Sequence, residues 1–291
     1  MFFLEHFIEE VSGMEKGEVV THPMFRDWIG RARKWYVEKY GESHLKGTSD
    51  DGVAMLALFE TPFELRFPLT LTWPARSKGL TALHFPRKVL RREDSLNFLV
   101  SPPNLERLSP EERKSLRRRV SRVVGQARAL LVDTMFADVG REGGAALAGG
   151  IRISLEKGVR DVCHSGSDRH SDAVWEFNFA AEKALKAFLW QKSRPVPRTH
   201  DVRDLVRMAV GKGLAPPARS WLEQFPTGKD AVRYRYGELG VPSTRSVMTL
   251  YGVALSLSAH CARALKRTIS VMDPGAVLYL RSPWDPTTEV G

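Results

Sequence analysis

The segment Asn178–Ala187 reads NFAAEKALKA and has the pattern of a closely packed helix. Ala181 and Ala184 are small enough to let another helix approach, and the leucines and phenylalanine that follow can fill a core. Glu182 and Lys186 are four residues apart, where an ion pair contributes about 0.3–0.5 kcal/mol on a helix surface. The segment therefore predicts a helix with one face buried in a helical bundle.

Further amphipathic helices with short connections surround this segment. The apolar periodicity predicts helices over residues 151–164, from 171 or 172 to 191, 201–210, 218–225 and 244–272. Short connections between amphipathic helices are typical of an up-and-down bundle. The tail from Asp273 contains three prolines and is expected to be extended and irregular.

The first half of the chain has a different period. Short runs rich in β-branched and aromatic residues, separated by turn formers, predict strands over residues 53–59, 63–73, 80–85 and 96–100. The alternation in Phe63–Phe67 indicates an antiparallel sheet of three or four strands with one polar face. Before it, aromatic residues at helical spacing predict an amphipathic helix over Phe25–Tyr40. After it, Ser109–Glu112 predicts a capped helix that runs to about Phe136.

These patterns predict an α+β domain with a small antiparallel sheet and flanking helices, followed by an all-α up-and-down bundle. The expected boundaries are 1–140 for the first domain, 141–150 for a Gly-rich linker, 151–272 for the bundle and 273–291 for the tail. The glycines of the linker lack the spacing of a phosphate-binding loop, and no predicted strand leads into them.

The formal net charge of +10 favours an acidic partner such as RNA or a nucleotide. Residues 1–150 hold 23 Lys and Arg against 20 Asp and Glu, and residues 151–291 hold 21 against 14. The helix after Ser109 has a basic outer face from Arg113 to Arg128, with acids in its first turn. Its candidate phosphate contacts are Arg117, Arg118 and Arg122, although a basic face can also serve solubility alone.

Four features of the second half, in this order, resemble the HEPN family. They are the AEKxLKA stretch within Asn178–Ala187, the Thr199-His200-Asp201 sequence, the Arg233-Tyr234 pair and the long closing helix. The resemblance covers about 120 residues and implies a helical bundle. It also implies a bacterial toxin–antitoxin or anti-phage setting, often with a nucleotidyltransferase-type partner and often as a homodimer.

Many HEPN proteins are ribonucleases. The resemblance implies that such an enzyme would have an arginine, then four to six residues, then a histidine, near the start of the last long helix. In such a pair the histidine moves a proton and the arginine stabilises charge on the phosphate, without a metal. No histidine follows Arg233 at that spacing. Arg194 and His200 have the spacing but lie in another loop, which contains two prolines.

Two functions from different classes therefore stay open. The first is a non-catalytic module that binds RNA or a nucleotide through Lys183, Lys186, His200, Arg233, Tyr234 and Arg235. The second is a metal-independent endoribonuclease with displaced groups, namely Arg194, His200 or Arg233. A purely structural partner-binding protein is a third alternative, in which His200 makes a structural hydrogen bond and the arginine–tyrosine run caps the bundle.

The remaining signals favour a cytoplasmic protein without a metal or other cofactor. The two cysteines imply no disulfide framework, and neither Cys163-His164 nor His260-Cys261 has the spacing of a zinc motif. The first residues make a poor signal peptide because they carry acids and no basic region. No apolar run approaches the length that spans a bilayer.

Overall fold

The computed structural model describes residues 34, 38, 51–58, 60–74, 80–102, 104–140, 143–269 and 275–281. The helix predicted over Phe25–Tyr40 lies outside the described residues, apart from Lys34 and Glu38, which are helical. In the described part of the chain, a strand-rich region comes first and a helical region follows it. The predicted fold class, a small antiparallel sheet followed by an all-α bundle, is confirmed.

The described strands form two small sheets instead of the single sheet that the sequence predicts. β1 (Asp51–Leu58) and β2 (Thr61–Pro68) pair with each other. β3 (Leu71–Pro74) pairs with β4 (Leu80–Pro86) in antiparallel register, with Leu71 opposite His84. β5 (Gly275–Arg281) is the third strand of that sheet, next to β4. Part of the predicted irregular tail is therefore a paired strand.

Side chains from the helical region bind alternate backbone groups of β1. The N–H of Val53 donates to Glu156 at 3.3 Å, and the N–H of Met55 donates to the Tyr251 hydroxyl at 3.2 Å. The guanidinium of Arg119 donates to the carbonyl of Ala57. Unpaired strand groups invite pairing with another chain, so these contacts protect the strand.

The prediction of a strand over residues 96–100 is wrong. Residues Ser95–Phe98 form a 3-10 helix, because the Asp94 side chain accepts a hydrogen bond from the N–H of Leu96 and caps it. Only Leu99 pairs like a strand residue, in an isolated bridge to Leu65. Short apolar runs fit either structure, and here the preceding cap decides.

Seven α-helices are described. They are α1 (Pro110–Met135), α2 (Gly144–His164), α3 (His170–Lys192), α4 (Val202–Gly211), α5 (Arg219–Leu222), α6 (Gly228–Arg235) and α7 (Thr244–Arg263). Further 3-10 turns lie at Leu105–Arg107 and Ser167–Arg169. The predicted capping box of α1 is present, with Ser109 accepting from the N–H of Glu112 at 3.3 Å and donating its own N–H to the Glu112 carboxylate at 2.8 Å.

α3, which carries the NFAAEKALKA segment, is the central helix. α2 and α7 pack along it, and α4 and α6 contact it as well. Ala181, Ala184 and Leu185 are at most 1% exposed, as their small or apolar side chains predict. At Gly158 of α2, an added Cβ would lie 2.5 Å from the ring of Phe177. A glycine there lets the two helices approach closely.

The Gly-rich segment predicted as a linker is helical from residue 144 onward, where α2 begins. Gly143, at φ 44°, and Gly144 lie against the indole of Trp190, which a Cβ on either residue would meet at 2.9 Å or less. The glycines therefore make room for a tryptophan at the end of α3. The glycines that predict a linker serve close packing in the structure.

α7 ends at Arg263, nine residues before the predicted end of the last helix at Met272. The chain then pairs with the segment that follows α1, through an isolated bridge between Ala137 and Arg267. The side-chain amide of Gln191 donates to the carbonyls of Asp138 and Lys266, each at 2.9 Å. These contacts hold the chain in a non-helical path.

The chain contacts divide the molecule into two compact units. One comprises residues 1–51, 70–84 and 277–291, and the other comprises residues 52–69 and 85–276. The second unit holds β1, β2 and the helices, and within it α1 packs against α7 and α2. Because the units interleave along the chain, the linear domain boundaries stay a prediction.

Candidate nucleic-acid interface

His200 is held by a buried carboxylate of α3. Its Nδ1 donates to Glu182, with the two carboxylate oxygens at 3.0 and 3.2 Å, and Glu182 is 1% exposed. Lys186 donates to the same carboxylate at 2.7 Å. The imidazole itself is half exposed. With Nδ1 engaged, Nε2 is the ring nitrogen left to exchange a proton or bind a ligand.

Backbone capping positions His200. Asp201 is the N-cap of α4, since its side chain accepts from the N–H groups of Arg203 and Asp204. The side chain of Thr199, two residues earlier, accepts from the N–H of Asp201 at 3.1 Å. The second oxygen of Asp201 accepts from the N–H of Gly228 at 2.9 Å, which joins the start of α6 to the start of α4.

Aromatic rings and a guanidinium lie beside this histidine. Trp175 has its ring centroid 6.0 Å from that of His200 and stacks on Phe179 at 5.3 Å. The guanidinium of Arg235 lies over Trp175 at 5.0 Å and over Tyr236 at 5.9 Å. Tyr236 is 67% exposed. We call Trp175, Phe179, His200, Arg235 and Tyr236 the cation–aromatic cluster.

The two lysines of the predicted site are engaged by their own chain. Lys183 donates to the carbonyl of Gly150 at 3.2 Å and to the Ser154 hydroxyl at 3.0 Å, and it lies 3.9 Å from the centre of the Phe179 ring. Burial lowers the pKa of Lys183. Lys186 neutralises Glu182, as described above. Both lysines thus support the cluster from within.

Of the three residues predicted in the arginine–tyrosine run, two are engaged by their own chain and one lies in the cluster. Arg233 pairs with Asp230 at 3.5 Å and with Glu238 at 3.6 Å, and Tyr234 packs against the hydrophobic core. Arg235 alone of the three lies on the ring of Trp175. The position of Arg235 at the end of α6 also suits the negative end of the helix dipole.

Arg194 and His200 are not brought together. The guanidinium of Arg194 lies 4.4 Å from the ring centre of Trp190. His200 instead contacts Glu182. Glu182 and Trp190 both lie on α3, eight residues and therefore about 12 Å apart along the helix axis. The spacing in the sequence therefore does not correspond to a shared site.

Three other histidines each contact a different protein group. His164 donates to the buried Glu64, which also binds Arg66. His170 is hydrogen bonded to the carbonyl of Pro242 at 3.0 Å, and His260 to that of Ala215 at 2.7 Å. Burial alone would raise the pKa of Glu64, but hydrogen bonds from Arg66 and His164 hold it below its ordinary value.

The basic helix α1 uses some of its arginines internally. Arg128, predicted on the outer face, is fully buried and binds Glu93 at 2.7 Å. Arg117 pairs with Asp94 at 3.3 Å. Arg118 and Arg122 are exposed. The charge pattern of the helix does not distinguish arginines that pair within the chain from arginines that stay exposed, because the pairing depends on residues distant in the sequence.

Sequence reasoning missed Trp175 and Phe179, and it left Tyr236 of the arginine–tyrosine run out of the candidate binding residues. The first two are four residues apart on α3, so their contact follows from helical spacing. The pairing of Glu182 with His200 joins residues 18 positions apart and needs the tertiary fold.

Among the described residues, no group of His, Cys, Asp and Glu could hold a metal ion. None of the described helices is both long and apolar enough to span a bilayer.

Comparison with known proteins gives one match. Residues 162–273 match the family model of the HEPN domain. No curated protein and no solved structure matches the chain. The matched range contains α3 to α7, and with them the whole cation–aromatic cluster. The resemblance seen in the sequence is confirmed for the C-terminal half.

Proposed function

We propose that the protein binds RNA through the cation–aromatic cluster, which lies within the residues that match the HEPN domain model. The observation that carries the proposal is the guanidinium of Arg235 held over the indole of Trp175 beside an exposed imidazole. Guanidinium and imidazole groups bind phosphates, and an exposed ring such as that of Tyr236 can stack on a base.

The cluster is built to present these groups. His200 is oriented by the carboxylate of Glu182, which also pairs with Lys186. Because this contact uses Nδ1 of the half-exposed imidazole, Nε2 is left for a ligand. Arg235 has no acidic partner among the described residues, whereas Arg233 has two. An exposed arginine without a carboxylate is available to an anionic ligand.

The test is binding of a labelled single-stranded RNA of about 20 nucleotides, measured by fluorescence anisotropy at several salt concentrations. Each stacked base contributes about 1–3 kcal/mol, so Tyr236→Ala should weaken binding roughly 5- to 150-fold. Arg235→Ala and His200→Ala should also weaken it. Arg219→Ala is the matched control, since Arg219 is 93% exposed and lies on α5. If the cluster variants bound as tightly as this control, the proposal would be wrong.

A second candidate is metal-independent cleavage of RNA, favoured by the contact between His200 and Glu182. A carboxylate that accepts from Nδ1 fixes the imidazole so that Nε2 can move a proton. Arg235 would then stabilise charge on the phosphate. Total RNA incubated in EDTA with the wild-type protein and with His200→Ala separates the two functions. Equal absence of cleavage in both samples would eliminate the enzyme and leave the binding module.

We propose the biological setting from the match to the HEPN domain alone. The protein would act in the cytoplasm, in a toxin–antitoxin or anti-phage system. It would form a homodimer and have a nucleotidyltransferase-type partner protein. Co-purification with the products of neighbouring genes tests the partner, and sedimentation of the purified chain tests the dimer. The purely structural alternative predicts no affinity for RNA even at low salt.

A further inference from the structure

α1 lies outside the matched HEPN range, and its basic residues fall into two sets. Four are bound within the chain. Arg113 donates to the carbonyl of Leu105, Arg117 to Asp94, Arg119 to the carbonyl of Ala57, and the buried Arg128 to Glu93. These four fasten strands and turns to the helix. The chain itself therefore uses their guanidinium donors, and two of them, Arg117 and Arg128, pair with a carboxylate.

The other set comprises Lys114, Arg118 and Arg122. All three are exposed, and none makes a hydrogen bond or ion pair with the part of the chain that the structure describes. They follow one another at intervals of four residues, so they form one stripe with steps of about 6 Å along the axis. We call these three residues the basic ridge.

No acidic residue lies on α1 between Glu112 and Asp133. Like charges four residues apart on a helix repel each other, so the basic ridge opposes folding slightly. A helix face needed only for solubility can mix both signs and avoid that repulsion. The uncompensated stripe points to an anionic ligand with several charges in a row.

A second segment adds charge next to the helix. Residues 88–94 are held against α1, since Glu93 binds Arg128 and Asp94 binds Arg117. Arg91, in the middle of this segment, is exposed and has no partner among the described residues. Exposed basic charge is therefore present on the segment bound to α1 as well as on the helix itself.

We propose that the basic ridge binds the sugar–phosphate backbone of a single-stranded RNA, and that the ligand is a strand and not a mononucleotide. This rests on the proposed function, which supplies base stacking at the cation–aromatic cluster. A mononucleotide carries its phosphates at one point and cannot engage a row of cations. A strand presents a phosphate at every nucleotide and releases counterions at each contact.

The experiment compares two triple variants of the full chain. The ridge variant carries Lys114→Gln, Arg118→Gln and Arg122→Gln. The control carries Arg207→Gln, Arg219→Gln and Arg245→Gln, three arginines that are each at least 79% exposed on other helices. Both lose three charges, so they share any effect of net charge. The ridge variant should fold at least as stably as the wild type, because its internal repulsion is relieved.

Binding is measured with a labelled 20-nucleotide single-stranded RNA and, separately, with AMP. We expect the ridge variant to bind the RNA at least tenfold more weakly than the control variant. The slope of log K against log salt should become shallower by about 2, since each phosphate contact on a single strand contributes about 0.7. Affinity for AMP should not change, because AMP engages the cluster alone.

Several results would overturn the proposal. They are equal RNA affinity of the two triple variants, a parallel loss of AMP affinity in the ridge variant, or tighter ridge-dependent binding of poly-glutamate than of RNA. The last would make the partner an acidic polypeptide. Failure of the proposed function looks different: Arg235→Ala would leave RNA affinity unchanged while the ridge variant still reduced it. Absence of RNA binding by the wild type at low salt would overturn both.

Discussion

A substitution of Arg128 tests whether the arginines of α1 that bind within the chain stabilise the fold, in contrast to those of the basic ridge. Its guanidinium is fully buried and makes two hydrogen bonds to Glu93, at 2.7 and 2.8 Å. It also donates to the carbonyl of Pro68 at 2.7 and 3.1 Å and to that of Lys88 at 3.1 Å. Arg128→Met keeps apolar volume at this position and removes all five bonds.

The expected loss follows from the groups left behind. Removing one member of a buried ion pair costs about 3–5 kcal/mol, because the remaining charge has no compensation. Glu93 keeps the hydrogen bond from the N–H of Leu90, and the carbonyls of Pro68 and Lys88 lose the guanidinium of Arg128 as a donor. With a urea dependence of about 3 kcal/mol per M, the unfolding midpoint should fall by roughly 1–1.7 M.

The assay is urea unfolding followed by circular dichroism at the helical band. Arg118→Met on the same helix is the matched control and should change stability by no more than about 0.5 kcal/mol, since Arg118 is exposed. Adding Glu93→Gln to Arg128→Met should recover part of the loss, because the orphaned charge is removed. A loss below about 1 kcal/mol for Arg128→Met, or an equal loss for the control, would refute the reasoning.

Three other predictions concern packing, acid stability and thiol reactivity. Gly158→Ala should destabilise the protein by about 1–3 kcal/mol in thermal unfolding, because its Cβ would overlap a neighbouring ring, whereas Gly149→Ala meets nothing within 4 Å and should stabilise or leave it unchanged. Glu64 has a pKa held below its ordinary value near 4.5, so its contribution to stability is present above that value and is lost as the pH falls further. Glu64→Gln should therefore show a smaller loss of stability between pH 5 and pH 3, measured by urea titration at each pH. Burial raises the pKa of Cys163 to about 12 and raises that of Cys261 also, so neither thiol should react with a thiol reagent until the protein unfolds.

The sequence predicted the bundle well where local pattern and tertiary environment agree. The small residues and leucines of Asn178–Ala187 are buried as their spacing predicts, and the Ser109–Glu112 cap starts α1 where it should. The failures lie where a distant residue decides. Gly143 and Gly144 serve Trp190, and the path after α7 is set by Gln191. Period alone contains no information about such partners.

The candidate site follows the same rule. His200 and Arg235 were both named from the sequence, yet their environment depends on residues distant in the chain. Glu182 was visible as the partner of Lys186 at helical spacing, while its contact with His200 needs α3 and the start of α4 side by side. Lys183 looked available for a ligand because a lysine on a helix is usually exposed. The approach of Gly150 and Ser154 from α2 uses its donors instead.

Asp201 explains how this arrangement can be fixed in place before any ligand binds. One of its oxygens caps α4 and the other accepts from the first N–H of α6, so the helix that carries Arg235 starts from a residue adjacent to His200. Burial alone would raise the pKa of Asp201, but hydrogen bonds from three backbone N–H groups hold it below its ordinary value, which keeps the carboxylate charged. If RNA binds at the cation–aromatic cluster as proposed, the side chains left for it to order are exposed ones such as those of Arg235 and Tyr236. Binding at a frame that is already ordered costs little conformational entropy, so the proposal requires few contacts for measurable affinity.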